Sequence, residues 1–324
     1  MASKIRESIL EALSSSDNSY FSGQELADQA GCSRTAIWKH IEDLRSSGFM
    51  IESRRKKGYR LLGKTDELNE NNLLVGLKTE TLGRSVLFLE SVESTQKIAH
   101  RLAQETAPEG TLVIAEEQVS GRGRMARSWH SPKGTGIWMS LLLRPSLPPQ
   151  KAPQFTLIAA VAIVEAIKDK CDLDVDIKWP NDLLINGKKV TGILTELQAD
   201  SEQIHSLIIG MGINVNQSAE DFSDDIREIA TSLHIESDKT FSRAGIVQEI
   251  LSNLEKYYAV YIKEGFEPIK EIWEKYAVTI GRQITARTLN KEIKGFASGI
   301  TNEGVLKLID ETGETHLIYS ADIE

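Results

Sequence analysis

Residues 176–196, DIKWPNDLLINGKKVTGILTE, alternate between β-forming runs and strong turn signals. Pro180 interrupts the first run, and Asn186-Gly187 separates two apolar segments, a pattern typical of a two-residue β-hairpin. The stretch therefore predicts three consecutive strands joined by a bend and a tight turn. Further strands are predicted at 111–118, 136–143 and 204–210, and a long apolar helix at 154–170. Consecutive hairpins with separate helices predict an α+β fold, in which a mixed β-sheet carries helices on one face.

The loop at 121–129, GRGRMARSW, combines glycines, three arginines and a tryptophan. Arginine forks match phosphate oxygens, and glycine lets backbone amides approach an anion closely. Such a loop is typical of a site that holds a triphosphate and an aromatic base. Gly121-x-Gly123-x-x-Ala126 also matches the dinucleotide fingerprint, but Pro132 and Gly134 disfavour the helix that must follow it. An exposed basic loop remains the alternative.

The bulk composition is that of a soluble protein of two or three domains, with 324 residues and 26% charged side chains. Only two cysteines are present, which predicts a reducing setting without a disulfide framework. The lack of a signal-peptide pattern or membrane span predicts a cytoplasmic protein. Because the histidines are scattered, no protein-bound metal site is predicted. Residues 1–63 carry ten Lys and Arg against eight Asp and Glu, although the whole chain has a net charge of −9. Residues 1–63, called the head below, are mildly basic although the rest of the chain is acidic. This difference predicts that the head binds a polyanion.

The head is predicted to contain a helix-turn-helix. Apolar residues from Ile5 to Leu13 mark a first helix, Ser22-Gly-Gln-Glu25 is typical of a capping box, and Gly31 provides the turn. A third helix, starting near Ser33, is shaped for a DNA major groove. The DNA-contacting residues predicted here are Ser22, Ser33, Arg34, Thr35, Lys39 and His40.

A basic hairpin is predicted directly after this motif. Strands at 49–53 and 59–62 flank Arg54, Arg55, Lys56 and Lys57, which indicates a winged helix whose wing contacts phosphates or the minor groove. One copy reads a short half-site, so a dimer is expected. The alternative is a solvated basic turn on a protein-interaction bundle.

Domain bounds follow from these patterns. Short alternating runs punctuated by Gly or Asn after Tyr276 predict a small SH3-like β-barrel. The predicted domains are a winged-helix domain at 1–63, a polar linker at 64–72, a catalytic domain at 73–272 and the SH3-like domain at 273–324.

Three motifs, in their order and spacing, resemble the biotin protein ligases. They are Gly121-Arg-Gly-Arg124 with Trp129, Lys178-Trp-Pro-Asn-Asp182 with Lys189 and Gly192-Ile-Leu, and Gly210-x-Gly-Ile-Asn214. The winged-helix head is similar to that of the bifunctional ligase–repressor branch. The resemblance implies that biotin and ATP form biotinyl-5′-AMP, that Mg²⁺ binds the phosphates, and that biotin passes to a lysine of a biotin carboxyl carrier protein. It also implies operator binding by a homodimer with the adenylate as corepressor.

The resemblance assigns roles to individual residues. Lys189, Arg122 and Arg124 are expected to be catalytic, with Lys188 left open as an alternative to Lys189. Biotin is expected to contact Ser94, Thr95, Gln118, Gly121, Arg122, Gly123, Arg124 and Lys189. ATP or the adenylate is expected to contact Arg124, Arg127, Trp129, Lys178, Asn181, Asp182 and Asn214. Gln96 stands where the family commonly has asparagine, which leaves its role open.

Two other functions are compatible with parts of this pattern. Lipoate ligation uses a related fold and the same adenylation chemistry, although the arginine loop and the winged head argue against it. A transcription factor could instead sense a small ligand without turnover. That reading leaves Arg122, Arg124 and Lys189 unexplained, because a sensor needs no cations for a leaving pyrophosphate.

Overall fold

A computed structural model describes residues 2–14, 19–46, 49, 51–61, 68–288 and 291–324. The chain divides into two compact units, Met1–Lys78 and Thr79–Glu324. Met50 and Leu62 of the predicted wing strands and residues 64–67 of the predicted linker lie outside the described residues. The predicted domain borders stay predictions.

The first unit contains the predicted helix-turn-helix and wing. Ser22 Oγ accepts from the Glu25 amide at 3.1 Å while Glu25 Oε2 accepts from the Ser22 amide at 2.7 Å, which confirms the capping box. Gly31 ends that helix at φ 62°, a conformation that glycine favours. The elements are α1 (Ala2–Ser14), α2 (Gly23–Ala30), α3 (Arg34–Ser46), β1 (Ile51–Arg54), β2 (Gly58–Leu61) and α4 (Glu70–Leu74).

The core of this unit joins the apolar faces of its first three helices. Its buried residues include Ile9, Leu26, Ile37 and Ile41, all with fully buried side chains. Strands β1 and β2 pair antiparallel, with Arg54 opposite Gly58, so the four predicted cations lie at the tip of a hairpin. Asn69 caps α4, so the end of the stretch predicted as a linker is helical.

A seven-stranded mixed sheet forms the centre of the second unit. Its order is β3-β4-β5-β9-β8-β7-β6, in which β3 and β4 are parallel and the other neighbours are antiparallel. Asn186 and Gly187 join β7 to β8 at φ 51° and 79°, as the Asn-Gly signal predicts. The strands are β3 (Val86–Leu89), β4 (Leu112–Ala115), β5 (Gly136–Leu143), β6 (Asp176–Lys178), β7 (Asp182–Ile185), β8 (Lys188–Ala199) and β9 (Ile204–Asn214).

Two predicted strands differ from the observed ones. The strand expected at 111–118 ends at Ala115, and the one expected at 204–210 continues to Asn214. The glycines at 210 and 212 therefore lie within β9. They are tolerated there because the side chains of Gln96 and Trp129 occupy the space that a β-carbon would need.

The long helices lie on one face of the sheet as predicted. Helix α6 is buried along most of its length, and Thr156 Oγ1 lies 2.8 Å from Thr195 Oγ1 of β8. The short α5 instead packs against the opposite face, where Ala99 and Ala103 contact Val113 and neighbouring strands. The helices are α5 (Thr95–Gln104), α6 (Ala152–Cys171), α7 (Leu233–Ser237), α8 (Arg243–Glu264) and α9 (Glu267–Tyr276), and single 3₁₀ turns lie at Arg124–Ala126, Pro149–Lys151 and Ala219–Asp221. Among the described residues, no helix has the length and apolarity needed to cross a membrane.

The C-terminal residues form a five-stranded antiparallel sheet of order β13-β12-β11-β10-β14, in line with the predicted β domain. The Trp179 indole donates to Gly304 O at 3.2 Å, and the Val278 amide donates to Ile177 O at 3.0 Å. These bonds hold the small sheet against the β6 edge of the large one. Its strands are β10 (Gln283–Arg287), β11 (Glu292–Ile300), β12 (Leu306–Ile309), β13 (Thr315–Ile318) and β14 (Asp322–Ile323).

Candidate active site

A cavity of about 510 Å³ opens on the large sheet beside α5 and the arginine loop. Of the residues predicted to contact ligands, all but Gly121 line it. Those that do are Ser94, Thr95, Gln118, Arg122, Gly123, Arg124, Arg127, Trp129, Lys178, Asn181, Asp182, Lys189 and Asn214. Gly121 is buried behind the cavity wall, where a β-carbon would lie 2.4 Å from Trp129 O. Its lack of a side chain therefore permits the turn of the loop.

The arginine loop is closed by its own backbone. The Gly123 amide donates to Arg127 O at 2.8 Å, and the Trp129 amide donates to Gly121 O at 2.9 Å. A 3₁₀ turn at Arg124–Ala126 takes the place of the helix that a dinucleotide fold requires, and the next regular element is β5. The dinucleotide alternative is therefore excluded by the local fold.

Two arginines of the loop contact the C-terminal sheet. Arg124 donates to Asn181 Oδ1 at 2.8 Å and to Ser320 Oγ at 2.7 Å. Arg127 forms an ion pair with Asp322 through both of its terminal nitrogens. Burial lowers the pKa of Arg124, whereas the hydrogen bond from Arg127 lowers the pKa of Asp322. Sequence reasoning missed Ser320 and Asp322, because nothing in their local sequence marks them as part of a distant site.

The third arginine of the loop, Arg122, is exposed at the cavity. Its guanidinium forms no ion pair or hydrogen bond within the described part of the chain. It is therefore available to an anionic ligand.

The central lysine of the cavity is Lys189, and Lys188 does not line it. Lys189 Nζ lies 2.7 Å from Asp182 Oδ1 and 5.2 Å from the centre of the Trp129 ring. The β7–β8 register shifts by one residue here, so that Lys189 faces Leu184 while Thr191 faces Leu183. This irregularity lets Lys189 and Gly192 line the same cavity despite their odd separation.

Trp129 lies flat on the sheet at the cavity floor. A β-carbon at Gly212 would lie 2.3 Å from its Nε1, and one at Gly192 would lie 2.9 Å from its Cζ3. The indole N–H is buried and has no hydrogen-bond partner among the described residues. A buried donor that is left unpaired costs free energy.

Asn214 and the segment after it form another wall. Asn214 donates to Thr231 O at 3.0 Å, and the Lys189 amide donates to Ile229 O at 2.8 Å. The apolar side chains of Phe222, Ile226 and Ile229 line the cavity. Sequence reasoning missed this wall, for which the only local signal is apolar residues within an acidic stretch.

A separate buried ion pair lies next to the ends of β4 and β5. Arg243 Nη1 lies 2.8 Å from Glu116 Oε2 and 3.3 Å from Gly136 O. The side chains of Arg243 and Glu116 are 4% and 10% exposed. The pair ties α8 to the strand ends that flank the arginine loop.

The first unit presents a separate candidate DNA interface. Arg34, Thr35 and Lys39 are exposed on α3, whereas His40 is half-buried. Ser22 and Ser33 accept capping bonds at the starts of α2 and α3. Sequence reasoning missed Trp38, whose side chain is 59% exposed on the same helix.

The wing is organised by Tyr20 and Glu52. Glu52 accepts a hydrogen bond from the Tyr20 hydroxyl and one from Arg60 at 2.6 Å. The guanidinium of Arg60 and the ammonium of Lys57 lie 4.8 and 5.8 Å from the centre of the Tyr20 ring. Arg55 and Lys56 at the wing tip are exposed.

Comparisons with known proteins identify a family for each part of the chain. A profile of the biotin/lipoate A/B protein ligase family matches residues 88–214, an HTH-domain profile matches 5–60, and a biotin protein ligase C-terminal domain profile matches 279–324. The bifunctional ligase/repressor BirA of Bacillus subtilis is 53% identical and covers 100% of this chain and 99% of its own. BirA of Escherichia coli is 32% identical over 91% of this chain and 89% of its own.

A solved structure extends the likeness to the fold of the second unit. The biotin protein ligase from Aquifex aeolicus, in complex with biotin and ATP, gives a TM-score of 0.65 at 28% identity. The match covers 74% of this chain and 98% of that one. The chain therefore belongs to the biotin protein ligase family, in its bifunctional ligase/repressor branch.

Proposed function

We propose that this cavity joins biotin to ATP, forming biotinyl-5′-AMP and pyrophosphate, and then passes biotin to a lysine of a biotin carboxyl carrier protein. The observation that carries the proposal is the charge of the cavity. Its lining includes five arginines and lysines and two aspartates, in a chain whose net charge is −9. Such a lining suits a reaction between a carboxylate and a triphosphate.

In the first step, a carboxylate oxygen of biotin attacks the α-phosphorus and pyrophosphate leaves. Both reactants are anions, so the site must neutralise charge and align them. Lys189 suits this role because it lines the cavity and its ammonium lies beside Asp182 and Trp129. Arg122 provides a second, unpaired cation at the cavity rim.

In the second step, the amine of the acceptor lysine attacks the biotinyl carbonyl and AMP leaves. The mixed anhydride hydrolyses if water reaches it, so the arginine loop must cover it. Arg124 and Arg127 suit this role, since they hold the loop against Ser320 and Asp322. We propose that the C-terminal sheet thereby supports the closed loop.

Neutral groups of the cavity lining would hold the two ligand heads. Ser94, Thr95 and Gln118 provide hydroxyl and amide groups for the biotin ring. Trp129 and Asn214 also line the cavity, and we propose that they pack against and bind the adenylate.

Mg²⁺ is compatible with the donor set. Asp182 Oδ1 pairs with Lys189 Nζ at 2.7 Å, and this oxygen has no further hydrogen-bond partner within the described structure. Asp182 would hold the ion, because Mg²⁺ needs few protein ligands when phosphates complete its shell. When bound, it would neutralise charge on the leaving pyrophosphate.

The substrate is tested by supplying biotin or lipoate with ATP and a carrier domain. We expect the mass of the carrier domain to increase when biotin is supplied and to stay unchanged when lipoate is supplied, with ATP present in both reactions. Modification with lipoate alone would reassign the protein to the sister chemistry, and modification with neither would favour a ligand sensor.

The loop contact with the C-terminal sheet leads to a prediction. Because the folded pKa of Asp322 is lowered, its pair with Arg127 is complete above the ordinary value of about 3.9 and is lost as pH falls through the folded value. Asp322→Asn should loosen the loop at neutral pH. We expect faster tryptic cleavage at Arg124 and Arg127 than in wild type, while Glu311→Gln, an exposed control, leaves the rate unchanged.

We further propose that the winged unit binds an operator as a dimer and that the adenylate acts as corepressor. The cations at the wing tip and on α3 support contact with phosphates. An adenylate that stays bound when acceptor is scarce would order the arginine loop and favour dimerisation. Dimerisation and operator binding that do not depend on the adenylate would contradict this link.

The wing leads to a prediction about salt dependence. Replacing Arg55 and Lys56 with alanine should remove roughly two phosphate contacts, and the slope of log K against log salt should become less steep by about 0.9 per contact. Lys263→Ala, a change at an exposed lysine of α8, should leave the slope unchanged. Fluorescence anisotropy with operator DNA over a salt series measures both, and equal slopes in all three proteins would exclude the wing from the interface.

A further inference from the structure

A row of buried polar side chains lies where α5 meets the cavity. Thr95, Gln96 and Ser140 are 3%, 5% and 0% exposed, and all three line the cavity. Gln118 Oε1 accepts from the Thr95 amide at 2.9 Å and from the Thr95 hydroxyl at 3.1 Å. Thr95 Oγ1 also lies 2.9 Å from Ser140 Oγ. The row therefore runs without interruption from Gln118 to Gln96.

The amide of Gln96 ends this row in a fixed orientation. Its Oε1 accepts from the Ser140 hydroxyl at 2.9 Å, and its Nε2 lies 3.4 Å from both Leu194 O and Ile208 O. A hydrogen bond from Gln96 also contributes to lowering the pKa of Glu196, after the larger effect of the His100 bond. Acceptors surround the amide nitrogen, so the opposite orientation would place oxygen against oxygen.

This orientation determines which groups of the row donate. A hydroxyl carries one proton, and that of Ser140 points to Gln96. Ser140 must then accept from Thr95, or the Thr95 proton goes to Gln118. In either case both hydroxyls present lone pairs to the cavity, which suits a ligand ring that offers N–H groups.

The backbone of β9 is adapted to Gln96. A β-carbon at Gly210 would lie 2.6 Å from Gln96 Oε1 and 3.3 Å from Leu194 O. Glycine at 210 therefore leaves the space in which the Gln96 carbonyl accepts the Ser140 proton. A side chain introduced at position 210 would therefore displace the Gln96 carbonyl without any change to Gln96 itself.

We propose that Gln96 is a positioning residue for biotin, one that sets the hydrogen-bond polarity of Thr95 and Ser140 and so selects a ring with N–H donors. The inference rests on the proposed ligand site. Gln96 acts through Ser140, so its removal should weaken biotin binding and leave ATP binding and the chemical step nearly unchanged.

The first test replaces Gln96 with methionine, which has similar length but no hydrogen-bonding amide. We expect the Kd and the KM for biotin to rise roughly tenfold, in line with the loss of about one net hydrogen bond, while the KM for ATP stays within about twofold. Gln198→Met is the matched control, because Gln198 also accepts from a serine but lies outside the cavity. It should change none of these values.

The second test uses the Gly210 contact and keeps the proposal falsifiable if Gln96→Met does not fold. Gly210→Ala should raise the Kd for biotin by displacing the Gln96 carbonyl. The double variant Gly210→Ala/Gln96→Asn should bind biotin no more weakly than Gln96→Asn alone, because the shorter side chain removes the clash. Fully additive losses would contradict a path through Gln96.

Calorimetric titration with biotin distinguishes failure of the proposed function from failure of the role assigned to Gln96. No biotin binding by wild type would overturn the proposed function itself. Normal binding by wild type and equal binding by Gln96→Met would overturn only the role of Gln96. A parallel rise in the KM values for biotin and ATP would also overturn it, since that result indicates general damage to the cavity.

Discussion

Replacing Lys189 with alanine is expected to lower kcat/KM for adenylate formation by roughly 100- to 1,000-fold, the usual cost of losing one preorganised charge-stabilising group. Lys189 faces the cavity beside Asp182, whose carboxylate would then lie uncompensated among the incoming phosphates. The variant thus loses a cation and gains an unpaired anion at the same place. Both changes oppose the approach of the biotin carboxylate to the triphosphate.

Lys188→Ala provides the matched control, because Lys188 precedes Lys189 in the same strand but lies outside the cavity lining. Its rate should stay within about twofold of wild type. Lys189→Arg should recover part of the lost rate, because it restores the charge but not the compact ammonium. Rapid-quench measurement of adenylate formation distinguishes these outcomes, and equal losses at 188 and 189 would contradict the assigned register.

The second large effect is expected on stability. Glu116→Ala removes the counterion of a buried arginine and should destabilise the second unit by about 3–5 kcal/mol. Arg243 is 3% exposed, so water cannot replace the lost carboxylate without opening the end of α8. The melting midpoint of this unit should fall clearly in calorimetry.

Glu249→Ala is the control for this effect. Glu249 pairs with Lys170 at 2.8 Å, the same distance as in the Arg243–Glu116 pair, but its partner is 44% exposed. Loss of such an exposed pair costs at most about 1 kcal/mol. Similar shifts of the melting midpoint in the two variants would show that burial does not determine how much the Arg243–Glu116 pair contributes to stability.

Features encoded by adjacent residues could be predicted from sequence. The capping box at Ser22 and Glu25 and the hairpin at Asn186-Gly187 depend on local backbone geometry, so their patterns were sufficient. All predicted ligand residues except Gly121 also line one cavity, although their roles stay predictions. Lys189 could be preferred over Lys188 only by the family register.

Features that depend on distant contacts could not be predicted. The irregular register between β7 and β8 decides which lysine faces the cavity, and no local signal marks it. Ser320 and Asp322 join the site only because the C-terminal sheet packs beside Trp179. Gln96 depends on Gly210, which lies more than a hundred residues away in the chain. Tertiary packing, rather than local propensity, sets these three features.

The central claim is that this cavity activates biotin as an adenylate. Biotin-dependent exchange of labelled pyrophosphate into ATP tests that claim most directly, with Mg²⁺ present and Lys189→Ala measured beside wild type. The account predicts exchange that requires biotin and is nearly abolished in the variant. Exchange that is absent from wild type, or that proceeds equally well in Lys189→Ala, would contradict it.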